Sequence, residues 1–136
     1  RTIKFYIFKT TKRGPRTIYL VRFRLMANVY LNSKVDLSTT DNTVLYTVPS
    51  NSRAIIKSLL VSEDAGSGTT ITVTLTSQTG TVFSLFKVKA VGANATEQLL
   101  TEPLIMMENE ILKVQAADAN ELHVVSSILE INREDV

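Results

Sequence analysis

Thr69-Thr70-Ile71-Thr72-Val73-Thr74-Leu75-Thr76-Ser77 alternates apolar and hydroxyl side chains without a break. A strand turns successive side chains to opposite faces, so Ile71, Val73 and Leu75 share one face and Thr70, Thr72, Thr74 and Thr76 the other. A helix would scatter both sets around its circumference, and the β-branched residues that dominate here also favour a strand. The stretch reads as a half-buried strand with one face in a core. Its threonine face carries no charge of the kind that discourages unwanted pairing on solvent-facing strands. That makes Thr70, Thr72, Thr74 and Thr76 a candidate interface.

The same reading extends along the chain. Val44, Tyr46 and Val48 alternate with Thr43, Leu45 and Thr47 until Pro49 stops the strand, so Val44, Tyr46 and Val48 are expected inside. Residues 54–62 are apolar on both faces, with Ile55, Ile56, Leu59, Leu60 and Val61, which suits a central strand covered on both sides. Gln78-Thr79-Gly80, Gly92-Ala93-Asn94, Glu108-Asn109-Glu110 and Asp118-Ala119-Asn120 are turns. Between them lie strands at 81–91, at 96–100 with an edge position marked by Pro103, at 111–116 with Leu112, Val114 and Ala116 inward, and at 122–131. Short strands at such spacing, with no amphipathic helix between them, predict an all-β antiparallel β-sandwich, jelly-roll or Ig-like, of about seven to eight strands.

The chain has 136 residues, enough for one domain that buries roughly two-thirds of its unfolded surface. It has no cysteine, which rules out disulfides and thiolate metal sites. No apolar run approaches the about 18 residues of a membrane-spanning helix. The net charge of +2 hides an asymmetry. Residues 1–25 hold 8 of the 15 Lys and Arg and no acid, and five of the nine aromatics. Residues 26–136 hold 7 basic against 13 acidic residues, a net of −6. Composition changes at Met26, so residues 1–25 are expected to be a basic extension, upstream sequence or the product of a misassigned start, ahead of one β-sandwich domain over 26–136. A basic arm for nucleic acid or an acidic neighbour, and an extra hairpin on the body, are the alternatives. The acidic body is not expected to bind nucleic acid.

Little in the chain has the pattern of a catalytic site. His123 is the single histidine, so a transition-metal site would need carboxylates alone around it. A Ser126–His123–Asp118 triad fails because Ser126 and His123 point to opposite faces of one strand, and Ser127 lacks a nucleophile-elbow sequence. Glu108 and Glu110, or Glu63 and Asp64, form carboxylate pairs in turns, where acids are ordinarily solvated. The loop 63–68 lacks EF-hand spacing for calcium, and Gly66-Ser67-Gly68 lacks the Lys-Ser/Thr end of a phosphate loop. Tyr30, Tyr46, Phe83 and Phe86 are expected in the core, leaving no stacking platform for sugars or bases. Asn94-Ala95-Thr96 fits the glycosylation pattern without a secretory segment. No catalytic, cofactor-binding or metal-ligating residue is assigned, and no cofactor is expected.

Four pieces resemble small virion structural proteins of tailed bacteriophages of the marine and cyanobacterial type. They are Val44-Leu45-Tyr46-Thr47-Val48-Pro49, Ala54-Ile55-Ile56-Lys57-Ser58, Asn94-Ala95-Thr96-Glu97-Gln98-Leu99-Leu100, and Leu122-His123-Val124-Val125-Ser126-Ser127-Ile128-Leu129-Glu130-Ile131. The resemblance spans about residues 26–131 and does not reach residues 1–25. It implies a non-enzymatic virion protein, a capsid decoration or other accessory component, made in the host bacterial cytoplasm. The implied partners are major capsid, neck or tail proteins and further copies of the chain, without membrane. The alternative is a tail-associated module binding a receptor or glycan.

Overall fold

The computed structural model describes the backbone of residues 2–9, 17–24 and 26–133, and side chains from residue 28 to 133. Among the described residues there are eleven strands and no helix. Strands β1 (Thr2–Lys9) and β2 (Thr17–Arg24) pair antiparallel with each other, Ile3 opposite Phe23 and Ile7 opposite Tyr19. The origin of residues 1–25, and the side chains of that segment, lie outside the described residues.

The remaining strands are β3 (Met26–Leu37), β4 (Thr43–Thr47), β5 (Ser52–Glu63), β6 (Thr69–Thr76), β7 (Val82–Val91), β8 (Thr96–Gln98), β9 (Leu104–Met106), β10 (Ile111–Ala116) and β11 (Leu122–Arg133). They form two antiparallel sheets, one in the order β3-β11-β5-β8 with β9 also on β5, the other β4-β10-β6-β7. Pro103 lies between β8 and β9, two short strands on one edge of β5, because a residue without an N–H interrupts a ladder. Counting them as one, every connection from β3 to β11 crosses between sheets except the β6–β7 hairpin. That order is the jelly roll, one of the two expected sandwich topologies.

The core lies between the sheets. Ile71, Val73, Leu112, Val114 and Ala116 come from one; Leu37, Ala54, Ile56, Leu59, Val61, Leu122, Val124 and Ile128 from the other. Each large aliphatic side chain so buried contributes about 1.5–3 kcal/mol. Leu75, expected inside, is half-buried beside the β7 edge.

Two parity changes correct the sequence reading. Val44 is 50% exposed, while Leu45 and Tyr46 are both buried. The register explains it: Leu112 faces Tyr46 and Lys113 faces Val44, so Leu45 is the extra residue of a bulge and the alternation changes sense there. On β5, Ser127 faces Ser58 and Ile128 faces Ile56, leaving Lys57 extra. Ala54 and Ile56 point inward before that bulge, Leu59 and Val61 after it. The run that reads as apolar on both faces is two alternations of opposite parity, and β5 is covered on one face only.

Candidate interaction surface

Strand β6 lies between β10 and β7, so its threonine row forms the middle of one outer sheet face. Thr72 lies opposite Gln115, Thr74 between Lys113 and Ser84, and Thr76 between Ile111 and Val82. Thr70, Thr72 and Thr76 are half-buried, but Thr74 is only 9% exposed, covered by its own cross-strand neighbours. The hydroxyls of Thr74 and Thr76 are shielded from solvent and have no hydrogen-bond partner. Around this row stand the exposed side chains of Val44, Val82 and Val88. The result is a threonine row, two of whose hydroxyls are already out of water, with Lys113 beside it and an apolar rim.

The β7 side of this face is irregular. The register slips between Ile71 and Val73 and again between Val73 and Thr74. Val88 has φ 52°, a left-handed conformation that a β-branched residue rarely adopts. Its N–H donates to Thr72 Oγ1 at 3.1 Å. Val88 thereby stands at the edge of a depression of about 300 Å³ lined by Thr40, Thr70, Thr72 and Gln115. Strands β4, β6, β7 and β10 contain Lys87, Lys89 and Lys113 and no acidic residue.

The acids are elsewhere. Loops 38–42, 64–68, 92–95 and 117–121 lie at one end of the sandwich and are tied together. Asn120 N–H donates to Leu37 O, Asp64 N–H to Glu121 O and Glu63 N–H to Ala95 O. Ser67 Oγ donates to Glu121 Oε1 at 2.8 Å, and Gln115 Nε2 to Thr40 O at 2.9 Å. Glu63 organises two of these loops. Its buried carboxylate accepts the N–H groups of Ala65 at 2.6 Å, Gly66 at 2.9 Å and Asn94 at 2.7 Å. Desolvation works to raise this carboxyl, yet the backbone donors of Asn94, Ala65, Gly66 and Gly68 together hold it below the ordinary value. The oxygens considered for calcium are thus turned to amide protons. Asn94, the glycosylation candidate, sits in this turn with φ 56°.

The other expected site residues are not brought into a catalytic arrangement. Ser126 is buried and donates to Ser58 O at 3.0 Å, and Asp118 accepts from Thr69 Oγ1 at 2.7 Å. His123 instead stands between two carboxylates, Nε2 3.2 Å from Asp36 and Nδ1 3.4 Å from Asp64. This pairing joins β3, β11 and the loop after β5, and no local sequence pattern announces it. Glu110 caps its own turn, accepting Met107 N–H at 2.6 Å. Glu108 lines a cavity of about 360 Å³ at the other end, with Arg53 and Arg133. Among the described residues no group of three or more His, Cys, Asp or Glu is placed to hold a metal ion.

Of the four aromatics expected inside, only Tyr46 is buried. Its hydroxyl donates to Glu130 Oε2 at 2.5 Å, bridging the two sheets. Burial, reinforced by that carboxylate, pushes the phenol well above its ordinary range. Phe86 is half-buried, Phe83 is 52% exposed on the β7 edge, and Tyr30 is 75% exposed on the β3 edge. Tyr30 borders a depression of about 290 Å³ with Asn32, Lys57 and Ser127.

No protein-family model matches the chain, and no curated protein does. Among solved structures, the chain is similar to one of the infectious bursal disease virus Gx strain, with 10% identity and a TM-score of 0.42, over 90% of this chain and 35% of that one. A second, of the infectious bursal disease virus Gt strain, shows 9% identity and a TM-score of 0.35, over 90% of this chain and 37% of that one. The chain thus spans little more than a third of either.

Proposed function

We propose that the protein is a non-enzymatic structural component of a tailed-phage virion, a capsid decoration or other accessory protein that assembles through sheet faces and edges. The observation that carries this reading is the threonine face, with its neutral hydroxyl row, apolar valine rim and absence of acid from all four strands. Two further points support it: the phage-protein resemblance of residues 26–131, and the use of jelly rolls in capsid domains, although a fold by itself does not set function. The partners are capsid, neck or tail proteins together with other copies of the chain, and the location is the particle.

Arginine at Thr72, a half-buried position, tests the face. Thr72→Arg is expected to leave the monomer folded by circular dichroism while abolishing particle binding or self-association, because a charge trapped in a contact is costly. Unchanged particle binding and unchanged oligomer size by light scattering would remove the face from the assembly. Thr74 is a poorer probe, since its own neighbours already cover it.

A second reading, a tail-associated receptor- or glycan-binding module, draws on Tyr30, an exposed aromatic beside hydrogen-bonding Asn32, Lys57 and Ser127. Tyr30→Ala is expected to abolish retention on a glycan array if that reading holds, and to leave particle binding intact if the first does.

A further inference from the structure

We infer that the threonine face receives the acidic loop end of a second copy of this chain, so that copies associate head to side. This rests on the reading of that face as a contact surface. The reason is a segregation of charge within the chain. The four strands of the face hold no acid, and Lys113 stands in the outer row opposite Thr74, with Lys87 on the neighbouring edge strand β7. The four loops of one sandwich end hold Asp41, Asp64, Asp118 and Glu121 and no Lys or Arg. Asp36 lies immediately below them, at the end of β3.

Two copies meeting face to face would bring Lys113 of each toward the same patch, with no carboxylate on either face to compensate. Like charges so placed oppose association. An acidic surface is the complementary occupant, and the chain itself supplies one. The loop end also has the shape for it. Ala65, Gly66, Ala93 and Ala119 are small and leave the loop backbone free to approach a flat sheet. The cross-loop hydrogen bonds hold that end in one arrangement, so little ordering is required on binding. A contact between two different patches is heterologous, and it builds a ring where the rotation closes or an open array where it does not.

Sedimentation velocity on the 136-residue chain tests this with two variants that each remove one half of the contact. Lys113→Glu spoils the face and keeps the loop end, whereas Asp41→Lys with Asp64→Lys spoils the loop end and keeps the face. Each alone is expected to weaken self-association by about tenfold or more. Mixed, the two should form a 1:1 complex, because one intact face meets one intact loop end. Rising salt should weaken the wild-type association. Should Lys113→Glu fail to fold, Lys113→Gln serves as the milder variant.

A mixture that stays monomeric overturns the inference, as does a wild-type chain that never associates. If Lys113→Glu associates normally while the loop variant does not, the loop end binds something else, the basic residues 1–25 first among candidates, and the inference fails. If Thr72→Arg abolishes association while both charge variants retain it, the face is a contact surface with a different occupant. If Thr72→Arg has no effect either, the reading of the face itself falls.

Discussion

On its outer face the sheet β3-β11-β5-β8 sets Lys34 opposite Val125 and Asp36 opposite His123, whereas the sheet β4-β10-β6-β7 sets Lys113 opposite Thr74 and has no acid on any of its strands. Inside, the two sheets are alike, each lining the core with aliphatic side chains at near-zero exposure. The packing that makes the sandwich is therefore indifferent to which sheet supplies it, while the outer chemistry is not. A solvated face needs mixed charges to stay soluble and unpaired. One face has both signs, Asp36 near Lys34, and the other has Lys113 among threonines and valines with no acid. The proposed contact surface rests on that difference.

The largest effect that would test this comparison separates the two faces of one sheet. Ile71 is fully buried, and Ile71→Ala is expected to cost about 2–5 kcal/mol in denaturant unfolding. Val44, on the outer rim of the same sheet and half exposed, should cost less than about 1 kcal/mol as Val44→Ala. Equal losses would mean that the outer face is packed within the isolated chain and that the contrast between faces is wrong.

Glu63 sharpens the contrast between a stapled sandwich end and an open sheet face. Its folded-state pKa lies below the ordinary value, so its contribution is present above about pH 4.3, the unfolded value, and is lost as pH falls through the folded one. Glu63→Gln keeps one acceptor oxygen and loses the other. The gap in unfolding midpoint between wild type and variant should be wide at pH 7 and shrink as the solution is acidified through that window. A gap that stays constant with pH would show that the carboxylate charge is not what holds the loops.

Tyr46→Phe cuts the bond from one sheet to the other. Removing a single hydrogen bond to a partly exposed carboxylate should cost about 1 kcal/mol at neutral pH. The sign of its pH dependence is opposite to that of Glu63. The phenol is raised in the folded state, so wild type holds its full contribution below about pH 10 and loses it as pH rises further. The phenylalanine variant lacks that alkaline loss. Parallel alkaline unfolding curves would contradict the bond to Glu130.

How much of this was legible from residues depends on the distance over which each feature is decided. The 69–77 alternation is local, and the strand, its turn boundaries and the burial of Ile71 and Val73 follow from it, whereas the buried Thr74 and half-buried Leu75 lie past the register shift against β7. Val44 misleads, because a bulge is set by the partner strand, and nothing within residues 43–48 says that Leu45 is the extra residue. The apolar run of β5 misleads for the same reason. The jelly-roll order is a matter of which strands pair across the chain, so a list of strands leaves it open against an Ig-like order. Residue type places Tyr30 and Phe83 in the core, yet both stand on edge strands, where a bulky side chain has a neighbour on one side only. The Glu63 cradle and the His123 pair join segments from 31 to 87 positions apart, beyond any spacing rule. The threonine row was visible at once, and its neighbours were not: the lysines and valines that give the face its character come from three other strands.

The smallest expected effect concerns Val88 and has an unusual sign. A non-glycine residue in the left-handed region carries a conformational cost of about 1–2 kcal/mol, greater for a branched β-carbon. Val88, at φ 52°, recovers little of it through burial, since its side chain is largely exposed. Val88→Gly removes the strain and adds unfolded-state freedom that offsets part of the gain. The net expectation is a chain more stable by up to about 1 kcal/mol, read as a higher unfolding midpoint at unchanged slope. The same variant strips a valine from the rim of the threonine face, so association should weaken while the monomer grows firmer. Val88→Asn separates the causes, because asparagine tolerates the left-handed region yet keeps a side chain of similar size. If both variants are more stable and only a loss of the apolar rim reduces association, the strain is maintained for the surface it presents. If both are less stable, the bulge is supported by contacts that Val88 itself makes, and the open character assigned to this edge of the face is mistaken.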